Sequence, residues 1–414
     1  MSIAHDTRVI GITGAFGSGC TTAALHLQAE HNYYPVRLSS FIMEELTRIE
    51  PQAGLSRQKL QAVGDRIRKA EGRGALVRRA FDGLNATDES YARIVFDGIR
   101  NCGEVEELRA MFGFRFALLG VIADPKTRWD RIRYEYLNKG LGQSDFLEDD
   151  ARDRNEGVQY GQQVIKCIDM SDCIVVNGST TTRGNYDKKI VEMCDVLTMS
   201  KPREPTKDEI YMQMAFTSSH QSLCLKRHVG AVIIDAEGEQ TSSGYNENPP
   251  ATKPCRYEDA YQGRCFRDIV RNRRFAALMD EMTCCPKCGQ RLEVELPGPP
   301  WLCSACLRSG RTTDLQPYFF PNRAMTWCTA IHAEDRALRT AGERARGGTL
   351  YTTTFPCFQC TEKIIMAGVR EVVFVDAYPD ALSADRFAVA DVTVRQFEGV
   401  LSAAFGRIFA IDHS

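Results

Sequence analysis

His332, Glu334, Cys357 and Cys360 are the residues whose types and spacing point most directly to chemistry. One imidazole and two thiolates make a three-ligand set for zinc and leave a fourth tetrahedral position for water, as a catalytic rather than a structural site requires. Zinc lowers the pKa of such a water to about 7, which gives a hydroxide nucleophile at neutral pH. A glutamate two residues past the histidine, itself not a ligand, can shuttle protons. The set implies hydrolytic removal of an exocyclic amine from a nucleobase. The bland alternative is two buried cysteines and a helical histidine with no metal.

Short elements must position these groups. Residues 331–338 read as a helix start, with His332 and Glu334 in its first turn. Residues 348–353 read as a β-branched strand halted by Pro356, and residues 357–368 as a helix stopped by Gly368. Cysteines at a helix N-terminus meet the positive end of the dipole, which favours the thiolate. Upstream, an amphipathic helix starts near Asp208, with Met212, Ala215, Phe216 and Leu223 as expected core contacts. Residues 228–234 and 240–245 then form a hairpin around Ala236-Glu237-Gly238.

A second cysteine set has a different character. Cys285-x-x-Cys288 and Cys303-x-x-Cys306 are separated by fourteen residues, the spacing of a zinc ribbon over about 280–312. Four thiolates close the coordination shell, so this zinc is expected to be structural. Cys255, Cys265, Cys284 and Cys328 are left over, and a further metal site or plain buried thiols both remain open.

Near the start, Arg8 to Thr13 is an apolar strand running into Gly14-Ala15-Phe16-Gly17-Ser18-Gly19-Cys20-Thr21-Thr22 and then a helix. Strand, glycine-rich turn and helix are the arrangement in which backbone N–H groups and a helix dipole cradle phosphate. Gly14, Gly17, Ser18, Gly19, Thr21 and Thr22 keep the cradle, and Cys20 stands where the phosphate-binding lysine belongs. Phosphoryl transfer needs that charge, whereas anion binding needs only the backbone donors. Residues 92–100 form a strand carrying Asp97 at a metal-facing position, residues 114–123 another, and residues 174–179 a last strand with a polar exit. Strands alternating with helices predict a mostly parallel sheet covered on both faces.

The chain has 414 residues, 43% hydrophobic, with net charge −2 and sixteen cysteines. No apolar run approaches the roughly 18 residues of a membrane span, and no signal peptide is apparent. A cytoplasmic enzyme with reduced or metal-bound cysteines is expected. The near-neutral charge is a poor footprint for tracking long nucleic acids. Residues 199–207, polar with two prolines, read as a linker between domains at 1–198 and 208–414.

Two resemblances sharpen this reading. Residues 7–198 resemble nucleotide kinases of the dephospho-coenzyme A and nucleoside monophosphate kind, in which helical arginines such as Arg128, Arg131 and Arg133 close over phosphates. Residues 208 to about 380 resemble deoxycytidylate (dCMP) deaminases: Cys224-x-x-Arg227-x-Val229-Gly230-Ala231, Gly244-Tyr245-Asn246, Cys328, the His332-Ala333-Glu334 triplet and Pro356-Cys357-x-x-Cys360 follow in order. Glu247 and Asp335-Arg336-Ala337 depart from that family's usual residues. The second resemblance implies a cytidine-deaminase-like α/β/α domain with the ribbon inserted, Glu334 as proton shuttle, Asn246 on the deoxyribose, and substrate contacts at Arg227 and Ala333.

The domain order resembles bacterial antiphage deoxycytidine-nucleotide deaminases. That implies dCMP or dCTP as substrate, depletion of the pool that phage replication needs, a nucleotide at the P-loop, and restraint by a small inhibitory RNA. The dCMP deaminase resemblance implies a homo-oligomer, with a hexamer favoured. Alternatives are a polynucleotide cytidine or adenosine deaminase, a bifunctional nucleotide kinase–deaminase, and a binding regulator with a vestigial deaminase fold.

Overall fold

The computed structural model describes residues 6–51, 56–86, 90–153, 159–270, 301–302, 309–310, 328–376 and 381–409. The ribbon cysteines Cys285, Cys288, Cys303 and Cys306 lie outside the described residues. The chain divides into two units: Met1–Gln213 with Val373–Pro379 and Val394–Ser414, and Met214–Val372 with Asp380–Thr393. Residues 394–414 are therefore grouped with the first unit, although the composition break falls near residue 200.

The first unit is built on β1 (Arg8–Thr13), β2 (Tyr34–Arg37), β3 (Arg93–Ile99), β4 (Phe116–Ile122) and β5 (Cys173–Val176). Its helices are α1 (Cys20–His31), α2 (Leu38–Ile49), α3 (Arg57–Glu71), α4 (Ala75–Asn85), α5 (Cys102–Phe112), α6 (Pro125–Leu137), α7 (Gln143–Asp153), α8 (Val164–Asp169) and α9 (Arg183–Leu197). All seven residues of β4 are buried. Such a continuous apolar run is what a parallel strand covered on both faces demands. Successive side chains on a strand point to opposite faces. Val9, Ile94, Phe96 and Leu118 accordingly join one apolar cluster, which holds residues of α2 to α5. Ile10, Ile12, Val95 and Leu119 join the other, which holds residues of α1 and α9.

Helix ends are set by local chemistry. Asn101 and Glu104 form a reciprocal capping box at the start of α5. Asp124 caps α6, with Pro125 at its first position. Glu104 also holds the buried Arg68 at 2.8 Å, which ties α3 to α5.

The chain contains β6 (Gly230–Ile234), β7 (Gln240–Tyr245), β8 (Trp301–Leu302), β9 (Ser309–Gly310), β10 (Thr349–Thr352), β11 (Glu371–Phe374), β12 (Thr393–Gln396) and β13 (Gly399–Val400) after these. Its later helices are α10 (Lys207–Ser219), α11 (Ala333–Ala341), α12 (Phe358–Met366), α13 (Ala381–Val389) and α14 (Ser402–Ile408). One sheet has the order β13-β5-β4-β1-β3-β2 and a second β12-β11-β10-β6-β7. In the first sheet β1 to β5 run parallel, and β13 pairs antiparallel with β5. The α/β class expected from the sequence is therefore the observed one. The short β8 and β9 pair antiparallel.

The return of the chain to β5 is held by polar contacts. Glu398 accepts hydrogen bonds from the Val176 amide and the Lys189 ammonium, each at 2.8 Å. Glu209, fully buried, accepts from Arg203 at 2.7 Å and from the Val400 amide at 2.7 Å. Met212 and Ala215 of α10 are buried as expected, whereas Leu223 is 41% exposed. Helix α10 ends at Ser219, so the helical period that assigned Leu223 to the core no longer applies there.

Candidate metal centre and phosphate loop

The hairpin β6–β7 and helix α11 form the floor of the centre. A Cβ on Gly244 would lie 2.2 Å from the Ala333 carbonyl oxygen, so only glycine lets the start of α11 approach β7 this closely. Ser242 Oγ donates to the Ala337 carbonyl at 2.7 Å, and Glu247 and Ile331 exchange backbone bonds just ahead of the helix. His332 thereby becomes the N-cap of α11, with extended backbone, and Glu334 enters the first turn. Cys357 is the N-cap of α12, and Cys360 lies one turn in.

Two helix N-termini thus deliver three donors to one point. His332 Nδ1 stands 3.4 Å from Cys357 Sγ and 3.3 Å from Cys360 Sγ. All three donor atoms lie within 4.8 Å of one another. A nitrogen and two sulfurs at this separation fit a tetrahedral zinc with one position to spare. The Cys357 thiol is pulled down to about 4, first by its bond from Cys360 and then by His332. Cys360 is pushed up by that same bond and by burial, so the pair shares one thiolate. His332 is raised chiefly through its bond with Cys357. Glu334 is buried, and burial raises its carboxyl pKa against a smaller lowering from His332. A raised carboxyl holds a proton more readily than a free one, which suits a group that must both take and give protons.

The remaining residues expected at this site take definite places. Ala333 is fully buried, and Arg227 is exposed. Asn246 is 8% exposed; its Oδ1 accepts from the Val229 amide at 2.8 Å, and its Nδ2 donates to the Arg227 carbonyl at 3.0 Å. The asparagine therefore shapes the 227–229 segment. The two departures from the family pattern interlock, which spacing alone did not reveal. Arg336 pairs with Glu247 and sits 4.1 Å over the Tyr245 ring, while Asp335 takes Lys363 of α12 at 2.7 Å.

Cys224, Cys255, Cys265 and Cys328 also gather. The Cys255 and Cys328 thiols are each pushed up, first by burial and then by the nearby Cys224 and Cys265, and accept backbone N–H bonds from Phe266 and Ala330 respectively. Among the described residues, only the His332 set brings three such donors within 4.8 Å.

In the first unit, the phosphate loop is braced from behind. Gly19 adopts φ 111°, and Tyr186 Oη donates to its carbonyl at 3.0 Å. Asn177 Nδ2 donates to the Ser18 carbonyl at 2.8 Å. Thr21 Oγ1 donates to Asp97 at 2.9 Å. Gly14 abuts the Val121 carbonyl, and Thr22 lies in the first turn of α1, whose N-cap is Gly19. The Cys20 thiol lies 3.4 Å from Ser18 Oγ and is pushed up to about 11 by burial and the Asp97 charge. This position is neutral. The helical arginines are committed elsewhere: Arg128 is fully buried against Asp150 at 2.7 Å, and Arg131 donates to the Asn177 and Gly178 carbonyls.

Residues 205–376 match the family described as cytidine and deoxycytidylate deaminase zinc-binding region. A deoxycytidylate deaminase of Schizosaccharomyces pombe is 24% identical over 397 residues, covering 94% of this chain and 97% of that protein. A deoxycytidylate deaminase of Saccharomyces cerevisiae is 26% identical over 228 residues, covering 54% of this chain; the chain spans about half (53%) of that relative's length. A UPF0200 protein of Saccharolobus islandicus is 28% identical over 186 residues, covering 44% of this chain and 87% of that protein. The donor geometry and the match fall on the same residues: His332, Cys357 and Cys360 all lie within the segment 205–376 that is similar to the cytidine and deoxycytidylate deaminase zinc-binding region.

Proposed function

We propose that the centre at His332 deaminates deoxycytidine nucleotides hydrolytically, converting dCMP or dCTP to dUMP or dUTP and ammonia. The observation that carries this reading is the convergence of His332, Cys357 and Cys360 within 4.8 Å, with a buried Glu334 beside them. A zinc held by these three residues would supply Lewis-acid activation of water at neutral pH. Glu334 takes a proton from the attacking water and delivers it to N3 of cytosine. It then takes the remaining proton from the hydroxyl added at C4 and hands it to the departing amine, so that C4=O forms as C4–N breaks and ammonia leaves. Burial of Glu334 supports both transfers, because raising its carboxyl makes it a better proton acceptor than a free carboxylate. Asn246 orients the deoxyribose edge, Ala333 lies against the base, and exposed Arg227 meets phosphate.

The ribbon at Cys285, Cys288, Cys303 and Cys306 holds a structural zinc, and the protein works as a homo-oligomer in the cytoplasm. The first unit regulates the activity through nucleotide at the phosphate loop, with Cys20 in place of lysine supporting binding without phosphoryl transfer. Depletion of the deoxycytidine pool in antiphage defence, restrained by a small RNA, is the physiological role that fits this order of domains.

The test is incubation of the zinc-loaded protein with dCMP, dCTP, CMP and cytosine-containing oligonucleotides, reading ammonia and uracil products. Ammonia from a deoxycytidine nucleotide, abolished in Glu334→Gln, is expected. Silence toward every mononucleotide overturns the proposal, and turnover of oligonucleotides alone replaces it with polynucleotide editing.

A further inference from the structure

Helix α12 starts on Cys357 and buries one stripe, Cys360, Thr361 and Ile364, while Phe358, Gln359 and Lys363 stay exposed. Thr361 is fully buried, yet its hydroxyl makes no hydrogen bond among the described residues. Holding a hydroxyl unpaired away from water costs free energy, so a buried one ordinarily has a partner.

A helical threonine has a local remedy, a bond back to the carbonyl four residues earlier. Thr47 in α2 and Thr340 in α11 take it, at 2.9 and 3.1 Å. Thr361 does not: the Cys357 carbonyl accepts the Thr361 amide at 2.9 Å but not the hydroxyl. Helical residues four apart share a face, with side chains tilted toward the N-terminus and Cβ atoms about 5–6 Å apart. The spare hydroxyl therefore belongs to the face that carries Cys357, one turn behind it. The start of α12 is otherwise fixed, since Lys363 donates to Asp335 of α11 at 2.7 Å and ties the helix of the two cysteines to the helix of His332. That tie supplies no donor to sulfur. A metal ligand is commonly oriented and tuned by a hydrogen bond from the next layer of residues.

We propose that Thr361 is a positioning residue of the metal centre, its hydroxyl donating to the Cys357 sulfur when that sulfur is a zinc ligand. A turn about χ1 brings the donor round, because a helical threonine has two accessible rotamers. The inference rests on the deaminase reading only in taking Cys357 as a zinc ligand; it concerns how the metal is held and not which substrate is turned over. It also fixes a sign. The hydroxyl is unpaired without zinc and paired with it, so removing it relieves a cost in the first state and forfeits a bond in the second.

The test compares full-length wild type, Thr361→Val and Thr361→Ser, stripped of zinc and then reloaded, with Cys360→Ala as the baseline for zinc held elsewhere. In competition with a chromophoric chelator, Thr361→Val should bind zinc about tenfold more weakly, the lower end of what losing such a partner costs. Thr361→Ser, which restores the hydroxyl, should bind as wild type does. The melting temperature of Thr361→Val should equal or exceed that of wild type without zinc and fall below it with zinc. With cobalt in place of zinc, the sulfur-to-metal charge-transfer absorption of Thr361→Val should move to lower energy, as a thiolate relieved of a hydrogen bond gives up charge more easily. Wild-type zinc affinity in Thr361→Val, a lowered melting temperature in both states, or an unmoved absorption overturns this inference alone. Failure of wild type to bind zinc beyond the Cys360→Ala baseline overturns the deaminase reading and this inference together.

Discussion

The metal centre and the phosphate loop both set chemically important residues at the start of a helix, yet they have kept different things. At α11 and α12 the reactive groups are present and converge, and the helix starts carry His332 and Cys357 themselves. At α1 the glycine-rich turn is braced by Asn177 and Tyr186, while Cys20, where the sequence pattern calls for a lysine, is a thiol pushed up to about 11 by burial. A cradle shaped by main chain survives the loss of one side chain, because its donors belong to the backbone. A metal centre does not, since each ligand is a side chain. The loop at α1 should therefore respond to substitution mainly in stability, and the centre at α11 and α12 mainly in chemistry.

The largest separation is expected for Glu334→Gln. Steady-state ammonia release should fall about 10³-fold, within the range for losing a general acid–base, while zinc content stays at the wild-type value. A variant with more than a tenth of wild-type activity removes Glu334 from the mechanism. Cys360→Ala should instead lower the zinc content, read by plasma mass spectrometry, by one ion per chain, because two protein ligands rarely retain a catalytic zinc.

Next in size is Glu209→Ala in the first unit, which strands Arg203 and the Val400 amide and should cost about 3–5 kcal/mol in denaturant unfolding. Burial alone would raise the Glu209 pKa, but the Arg203 bond and the Val400 and Thr206 amides outweigh it and hold the carboxyl below 4.5. Its contribution is consequently present above pH 4.5 and lost as pH falls through the lower folded-state value. Wild type and variant should converge in stability toward acid; a gap that persists at low pH removes Glu209 as the cause.

Thr21→Val should cost about 1–3 kcal/mol, because it leaves the buried Asp97 without its hydroxyl donor. Smallest of all is the Glu247–Arg336 pair, which is about one-third exposed on both sides. A double-mutant cycle with alanine should give a coupling of about 0.5–1 kcal/mol. A coupling near zero would mean that these two departures from the family pattern arose independently.

Much of the site was legible because its signals are local. His332, Glu334, Cys357 and Cys360 each sit within a turn of a helix start, and cap chemistry places helix starts well. The parallel sheet was legible for a similar reason, since Val9–Ile12 of β1 and all of β4 are runs without a polar side chain. What escaped was long-range. Arg128 reads as a phosphate-facing arginine until Asp150, twenty-two positions later, is seen to neutralise it. The bond between Glu398 and the Val176 amide spans 222 positions and leaves no periodicity to read. The buried Gln61 Oε1 and Arg68 Nη1, which make no hydrogen bond, were equally silent, because an unsatisfied group is defined by what surrounds it.

The antiparallel closure of β13 on β5 has a consequence for synthesis. Val176 leaves the ribosome 223 residues before Gly399, so the outer edge of β5 has no β13 to pair with during that interval. At ordinary elongation rates of about 5–20 residues per second, the wait lasts roughly 10 to 45 s. An open strand edge of this kind is a template for pairing with other chains. The nascent protein thus passes through a window in which its first sheet is unfinished, and the yield of native protein depends on how that edge is shielded until the last strand arrives.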